Sequence, residues 1–258
     1  MSQSAPIPRP NPRLLPLEGR ALFELAALLP AYPFLRRAPR GDGHPVLVLP
    51  GFMASDFSTR TLRRFLRDKG YRAHGWKLGR NLGPSAATLT AMVERLQGLH
   101  HRYGLRVSLV GWSLGGIYSR ELARAMPELV RQVITLGSPF RDVDAVNVPR
   151  FLRQRSRRRT AVADEQSVRA RLREPLSVPT TAIVSRTDAI ASWQSCCTEP
   201  GPFAENLEVD SSHLGFGHHP VVLLTIADRL AQPEGAWRPF KPPRGWRFPL
   251  VPRVLRDA

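Results

Sequence analysis

The segment VSLVGWSLGGIYSRELAR, Val107 to Arg124, leaves the chain few folds to choose from. Val107 to Val110 is a short apolar run suited to a strand, and from Ile117 onward the spacing is helical. Only Gly111-Trp112-Ser113-Leu114-Gly115-Gly116 separates them, so the backbone must pass from strand to helix within one sharp turn. Glycine at Gly111 and Gly115 removes side chains that would collide in such a turn. The turn lifts the Ser113 hydroxyl above the strand end, and the following helix aims its unpaired N–H groups at the same spot.

The rest of the chain repeats that alternation. HPVLVLPGF holds a continuous apolar run, Val46 to Leu49, which suits a strand buried on both faces. STRTLRRFLRDKG reads as a capped amphipathic helix with Leu62, Phe65 and Leu66 inward and Gly70 as its stop, and YRAHGWKL as the next strand. Pro84 and Ser85 open a helix whose inner face is Leu89, Met92, Val93, Leu96, Leu99 and Tyr103. LRVSLVG, VRQVITLG, TTAIVS and ENLEVD are strands, the last of them closing the sheet, and Pro220 opens a helix through VVLLTIADRL. The expected class is α/β, with a mostly parallel, doubly wound sheet covered by helices on both faces.

With 258 residues, one such domain accounts for the chain. The expected core is residues 45–232. Within it, Arg141 to Val178 is longer and more arginine-rich than one crossover helix requires, and reads as an inserted helical cap or lid above the ligand crevice. Residues 1–44 read as a flexible Pro/Arg-rich leader followed by an apolar helix, ALFELAALLPAYPFL. Glu24, Pro30 and Pro33 interrupt that run, which argues against a signal peptide, and it is too short to span a bilayer. It is expected to cover the domain or to lie on a membrane surface. Residues 233–258 form a basic Pro/aromatic tail that wraps the domain or touches a partner.

Lys and Arg number 38 against 21 Asp and Glu, a formal net charge of +17. That field draws the protein toward anionic lipid, nucleic acid or acidic substrates without choosing among them, and a solvated arginine-rich surface is the plain alternative; peripheral contact with an anionic membrane is one expectation, while no nucleic-acid recognition motif is present. A basic binding module on a vestigial enzyme scaffold, supported by RQRSRRR at Arg153 to Arg159, is the alternative from another class. The two cysteines, adjacent Cys196 and Cys197, provide no disulfide framework and suit a reducing, cytoplasmic compartment as small buried side chains. Zinc-ligand and phosphate-loop patterns do not occur, and no cofactor is expected.

A serine hydroxyl becomes a nucleophile only when a base takes its proton and a carboxylate holds that base in the right tautomer. Asp188, in AIVSRTDAIASW, follows a strand end where the crevice should lie; Glu199 is its competitor, and Asp210 comes too close before the histidines. LEVDSSHLGFGHHP offers His213 as the base, flanked by small residues, whereas His218 and His219 read as solvent-exposed residues at a helix start. Acyl chemistry needs two oxyanion donors, one from Leu114 after the serine and one from the early loop LPGFMAS. There Phe52 is the expected donor and Met53 the neighbouring alternative. Met53 and Trp112 add apolar substrate contacts.

Together LPGF, GWSLGG, TLGSPF, SRTDAI and SSHLGFGHHP resemble the bacterial lipase and esterase branch of the α/β-hydrolases over roughly Pro45 to Leu230. The resemblance implies hydrolysis of small-molecule or lipid carboxylic esters through an acyl-serine intermediate, without a cofactor. Transfer of the acyl group to an acceptor other than water uses the same residues. The chain departs from many lipases in carrying Pro50-Gly51 where they have His-Gly.

Overall fold

In the computed structural model, which describes residues 7–149, 170–242 and 251–255, seven segments pair into one sheet. They are β1 (Pro45–Leu49), β2 (Arg72–Gly75), β3 (Val107–Trp112), β4 (Val130–Leu136), β5 (Thr180–Val184), β6 (Ala204–Glu208) and β7 (Arg253–Leu255). Their spatial order is β2-β1-β3-β4-β5-β6-β7, parallel from β2 to β6. The order reverses at β1, so β2 and β3 flank it on opposite sides. In an open α/β sheet that reversal opens a crevice beyond the carboxyl ends of the strands.

The helices are α1 (Ala21–Ala26), α2 (Leu28–Arg37), α3 (Arg60–Asp68), α4 (Ala86–Tyr103), α5 (Leu114–Ala125) and α6 (Pro220–Leu230). Strand alternation sorts them between two faces. Val46 and Val48 point into a core with Leu62 and Leu66 of α3, Leu35 of α2 and Ile226 of α6. Leu47 and Leu49 point the other way, into a core with Met92, Leu96 and Leu99 of α4 and Leu122 of α5. Every residue of β1, β3, β4 and β5 is buried, as strands covered on both faces require.

Four expectations change. ENLEVD is not the closing strand: β7, from the C-terminal tail, adds antiparallel to β6 through Asn206–Leu255, Leu207–Val254 and Glu208–Arg253. Leu89 stays 43% exposed, because it sits in the first turn of α4 before that helix reaches the sheet. The cap expected for α3 is not made: Thr59 occupies the N-cap, but its hydroxyl donates backward to the Asp56 carbonyl, 3.2 Å away. The leader, expected to be flexible, forms a 3-10 helix over Pro12–Arg20, N-capped by the Asn11 side chain, and buries Glu18. The central part of the expected cap, including Arg153 to Arg159, lies outside the described residues.

Candidate active site

β3 ends at Trp112 and α5 begins at Leu114, leaving Ser113 alone at the turn with φ 53° and ψ −120°. A non-glycine residue held there carries roughly 1–3 kcal/mol of strain. Its surroundings enforce it. The Ser113 N–H donates to the Leu136 carbonyl at 2.8 Å. A Cβ at Gly111 would fall 2.4 Å from the Gly115 carbonyl oxygen, and one at Gly115 would fall 2.3 Å from that of Leu49. Both glycines therefore answer to backbone packed against backbone, which no rotamer can relieve.

Asp188 lies on the loop beyond β5, and its Oδ1 accepts the N–H groups of Ile190 and Ala191, each at 2.8 Å. That leaves Oδ2 for His213, whose Nδ1 is 2.7 Å away. An ionised carboxylate only accepts, so the ring proton sits on Nδ1 and Nε2 is left as the acceptor. Both side chains are almost wholly buried. Burial alone would hold the imidazole neutral, yet the Asp188 charge and hydrogen bond, joined by the Glu18 charge, raise its pKa above the ordinary histidine value. The competitors are engaged elsewhere: Glu199 pairs with Arg141 at 2.8 Å, and Asp210 accepts from Thr187 at 2.8 Å.

Ser113 and His213 are brought together through shared neighbours. The Trp112 indole N–H donates to the His213 carbonyl at 3.0 Å, and its ring packs against Gly217. Gly137, following the Leu136 that holds Ser113, leaves only 3.0 Å between its would-be Cβ and Asp188 Oδ2. Among the described residues Ser113 Oγ makes no hydrogen bond, so its link to Nε2 is open in this structure. Catalytic hydrogen bonds often tighten only once substrate is bound. Trp112 itself is only 8% exposed and anchors the histidine loop through its indole N–H. His218 and His219 are not solvent-exposed either, since His218 Nε2 meets the Ala21 carbonyl at 2.8 Å and His219 Nδ1 caps α6 by accepting the Val221 N–H.

The loop after β1 passes directly over the turn, with Gly51 placing its would-be Cβ 3.2 Å from Ser113 Cβ. The Met53 N–H is committed to the Asn81 carbonyl at 2.7 Å and is therefore no oxyanion donor. The N–H groups of Phe52 and Leu114 pair with no described residue, as open donors should. Asn81, which sequence reasoning passed over, fixes this loop. It is fully buried; its Nδ2 donates to the Pro50 carbonyl at 2.9 Å and its N–H to Ala54 at 2.8 Å. Support for the Pro50-Gly51 bend thus comes from a side chain about thirty residues away in sequence, with only the loop signal NLGP to mark it. Glu18 and Glu24 were also missed; the sole hint was a carboxylate inside the otherwise apolar ALFELA.

Among the described residues no cluster of side chains could hold a metal ion. Cys196 and Cys197 are free and buried, and burial pushes the Cys197 thiol up to about 12, so neither is poised as a nucleophile.

No protein-family model matches the chain, and no curated protein matches its sequence. Solved structures do match in three dimensions. Aspergillus fumigatus lipase B is 16% identical with a TM-score of 0.57, over 75% of this chain and 53% of that one, so the chain spans about half its length. MGS-MChE2, an α/β-hydrolase enzyme from the metagenome of Mar Chica lagoon sediments in Morocco, is 20% identical with a TM-score of 0.51, over 73% and 90%. Mature Bacillus licheniformis lipase BlEst2 is 15% identical with a TM-score of 0.50, over 75% and 94%. The fold of this chain is that of the α/β-hydrolases.

Proposed function

We propose that the protein is a serine hydrolase acting on carboxylic esters, with Ser113 as nucleophile, His213 as base and Asp188 as its orienting acid. The observation that carries this reading is the buried Asp188–His213 bond of 2.7 Å, which fixes the imidazole tautomer on a loop tied to Trp112, the residue before a serine held at positive φ. Ser113 Oγ attacks the acyl carbon as His213 Nε2 takes its proton. The negative charge on the carbonyl oxygen is received by the N–H groups of Phe52 and Leu114. His213 then returns the proton to the departing alkoxide, and water, activated by the same imidazole, releases the acid from the acyl-serine. Met53, 41% exposed on the loop above the nucleophile, favours an apolar acyl group.

The names of two fold neighbours, both lipases, agree with this chemistry. A fluorophosphonate should label the wild-type protein at Ser113. Ser113→Ala should lose both labelling and p-nitrophenyl ester hydrolysis, the latter by about 10⁴-fold or more. Equal turnover by the two proteins would overturn the assignment.

Peripheral attachment to an anionic membrane belongs to the same reading. The inward side of α2 packs Leu28, Ala31 and Leu35 on the core. The outward side of α1 and α2 presents Leu22, Leu25, Leu29 and Tyr32 at spacings of three and four, with Leu22 at 75% and Leu29 at 81% exposure. Exposed Arg36 and Arg37 continue that side. Among the described residues no helix is long and apolar enough to cross a membrane. An apolar ridge ending in arginines, on a chain of net charge +17, fits the interface of an anionic bilayer.

A further inference from the structure

We propose that the N-terminal segment Pro12–Ala26 is a working part of the reaction centre, in which Glu18 is a positioning residue that holds the acid and base loops at the spacing the Asp188–His213 pair needs. The inference rests on the hydrolase reading above and adds to it a second carboxylate.

Glu18 reaches both loops at once. Its Oε1 accepts the N–H of Ala189, the residue after the acid, at 3.0 Å, and the N–H of His213 itself at 3.1 Å. Its Oε2 accepts the N–H of Leu214 at 3.0 Å. Glu18 is only 7% exposed, and these three backbone donors give its carboxylate partners in place of water. The histidine backbone is consequently gripped at both polar groups, its N–H by Glu18 and its carbonyl by Trp112. Beyond the β5–β6 ladder, which stops at Val184 and Glu208, the loops are joined directly by the Val209 N–H to the Val184 carbonyl at 2.9 Å, the Ser211 N–H to Ser185 Oγ at 3.3 Å and the Thr187 hydroxyl to Asp210 Oδ1 at 2.8 Å; Glu18 adds the bridge at Ala189 and His213, level with the acid–base pair itself.

A second fastening lies six residues on. Glu24 accepts the Ser212 N–H at 2.8 Å through Oε1 and the Ser212 hydroxyl at 2.6 Å through Oε2. A Cβ at Gly215 would overlap the Glu24 carboxylate, so this loop is shaped to receive it. Arg20 pairs with Glu24 at 3.2 Å and donates to Thr187 Oγ1 at 2.5 Å, which ties the segment to the acid loop again. The titratable and charged groups facing this region are therefore Asp188 and Asp210 from the sheet loops, His218 and His219 from the loop before α6, and Glu18, Arg20 and Glu24 from the segment. Arg20 is occupied by Glu24 and, at 3.6 Å, by Asp210. Among the described residues Glu18 forms no ion pair, and its charge adds to that of Asp188 in favouring the protonated ring. The imidazolium that forms as Ser113 attacks is then met by two carboxylates, one through a hydrogen bond and one through space.

The test is Glu18→Gln in the full-length protein, with kcat and KM for p-nitrophenyl butyrate followed across pH and folding checked by circular dichroism. Glutamine keeps the volume, removes the charge and sets its NH₂ against a backbone N–H. Expected are a kcat lowered about tenfold or more with KM within about threefold, and an acidic limb of kcat/KM displaced to lower pH, because the free base persists further into acid once the nearby anion is gone. Glu18→Asp, which keeps the charge on a shorter arm, should return the limb toward its wild-type position without restoring kcat. A role confined to folding would leave the limb where it is. A folded Glu18→Gln protein with the wild-type profile and kcat overturns the inference. Should that variant fail to fold, Glu24→Gln decides: lowered kcat at unchanged KM supports it, and unchanged kcat overturns it. An inert, unlabelled wild type would instead overturn the hydrolase reading and this inference with it, whereas an active wild type keeps the two apart.

Discussion

Replacing Asn81 should damage the oxyanion loop more than its distance from the nucleophile in sequence suggests. The side chain makes three hydrogen bonds: Nδ2 to the Pro50 carbonyl at 2.9 Å, and Oδ1 from the Gly83 N–H at 3.2 Å and the Tyr118 hydroxyl at 3.4 Å. Alanine orphans two buried backbone groups and loosens a long tyrosine contact. At about 1–3 kcal/mol for each orphaned group the loss is about 2–6 kcal/mol. Water entering the vacated amide volume returns part of it, leaving about 2–4 kcal/mol. For a chain of this size that lowers Tm by about 4–16 °C.

The catalytic effect follows from the same bond. Pro50 precedes the bend that aims the Phe52 N–H, and losing one oxyanion donor costs about 10²–10³ in kcat. A loop that keeps its backbone ties to Asn81 but loses the Pro50 anchor should fall short of that, by about 10–100-fold, with KM within threefold. Asn81→Asp separates this from general destabilisation. It retains the acceptor for Gly83 and Tyr118 but places a carboxylate oxygen against the Pro50 carbonyl, so kcat should fall at least as far as in Asn81→Ala. Steady-state hydrolysis of a p-nitrophenyl ester, run well below each variant's Tm, reads both effects. Either variant, folded and with kcat within twofold of wild type, would refute the reasoning.

Gly115→Ala should give no active protein and little folded protein, because its Cβ would sit 2.3 Å from the Leu49 carbonyl oxygen and only backbone could yield; soluble yield and thermal melting check this, and an active variant melting as the wild type does would contradict it. Leu29→Ser with Tyr32→Ser should reduce sedimentation with phosphatidylserine vesicles severalfold while leaving turnover of a soluble ester unchanged, since both side chains point outward, at 81% and 60% exposure. High salt should weaken what binding remains.

The strand-turn-helix at Ser113 is legible in sequence because its constraint is local: glycines at fixed offsets, a β-rich run before them and a helical period after. The positions of Asp188 and His213 follow from chain order and strand ends, again local signals. What stays hidden is set by pairing across the chain. β7 is three residues long and exists because β6 offers an open edge, and nothing periodic in PRVLRD announces it. The proline-rich leader reads as flexible, and composition says nothing of the hydrogen bonds it makes to loops 171 to 196 residues away. Asn81 is hidden for the same reason, being one polar residue in a loop whose partner is another loop.

The sheet also holds a second set of the same three residue types, and the contrast shows what the proposed reaction requires of the first. At the amino end of β1 and β3, His44 Nδ1 lies 2.5 Å from Asp42 and its Nε2 lies 2.8 Å from Ser108 Oγ, so the hydrogen-bonded chain is closed, as at Ser113 it is not. Yet Ser108 and His44 are buried in the sheet, and Ser108 is paired with Val46 on one side and Gln132 on the other. An acyl carbon cannot reach that hydroxyl, and the strand ladder leaves no open N–H groups for an oxyanion. Burial also lowers the His44 pKa, and although Asp42 opposes this, that carboxylate is shared with Arg131 at 2.7 Å. At the carboxyl end the balance is reversed: burial is outweighed by Asp188 and Glu18, and the proton taken from a serine has somewhere to rest. Hydrogen-bond connectivity among serine, histidine and aspartate is therefore the lesser part of the signature. The decisive part is the strand end, where a strained turn exposes the hydroxyl, a helix begins with unpaired N–H groups, and the loop over it is held by a buried asparagine.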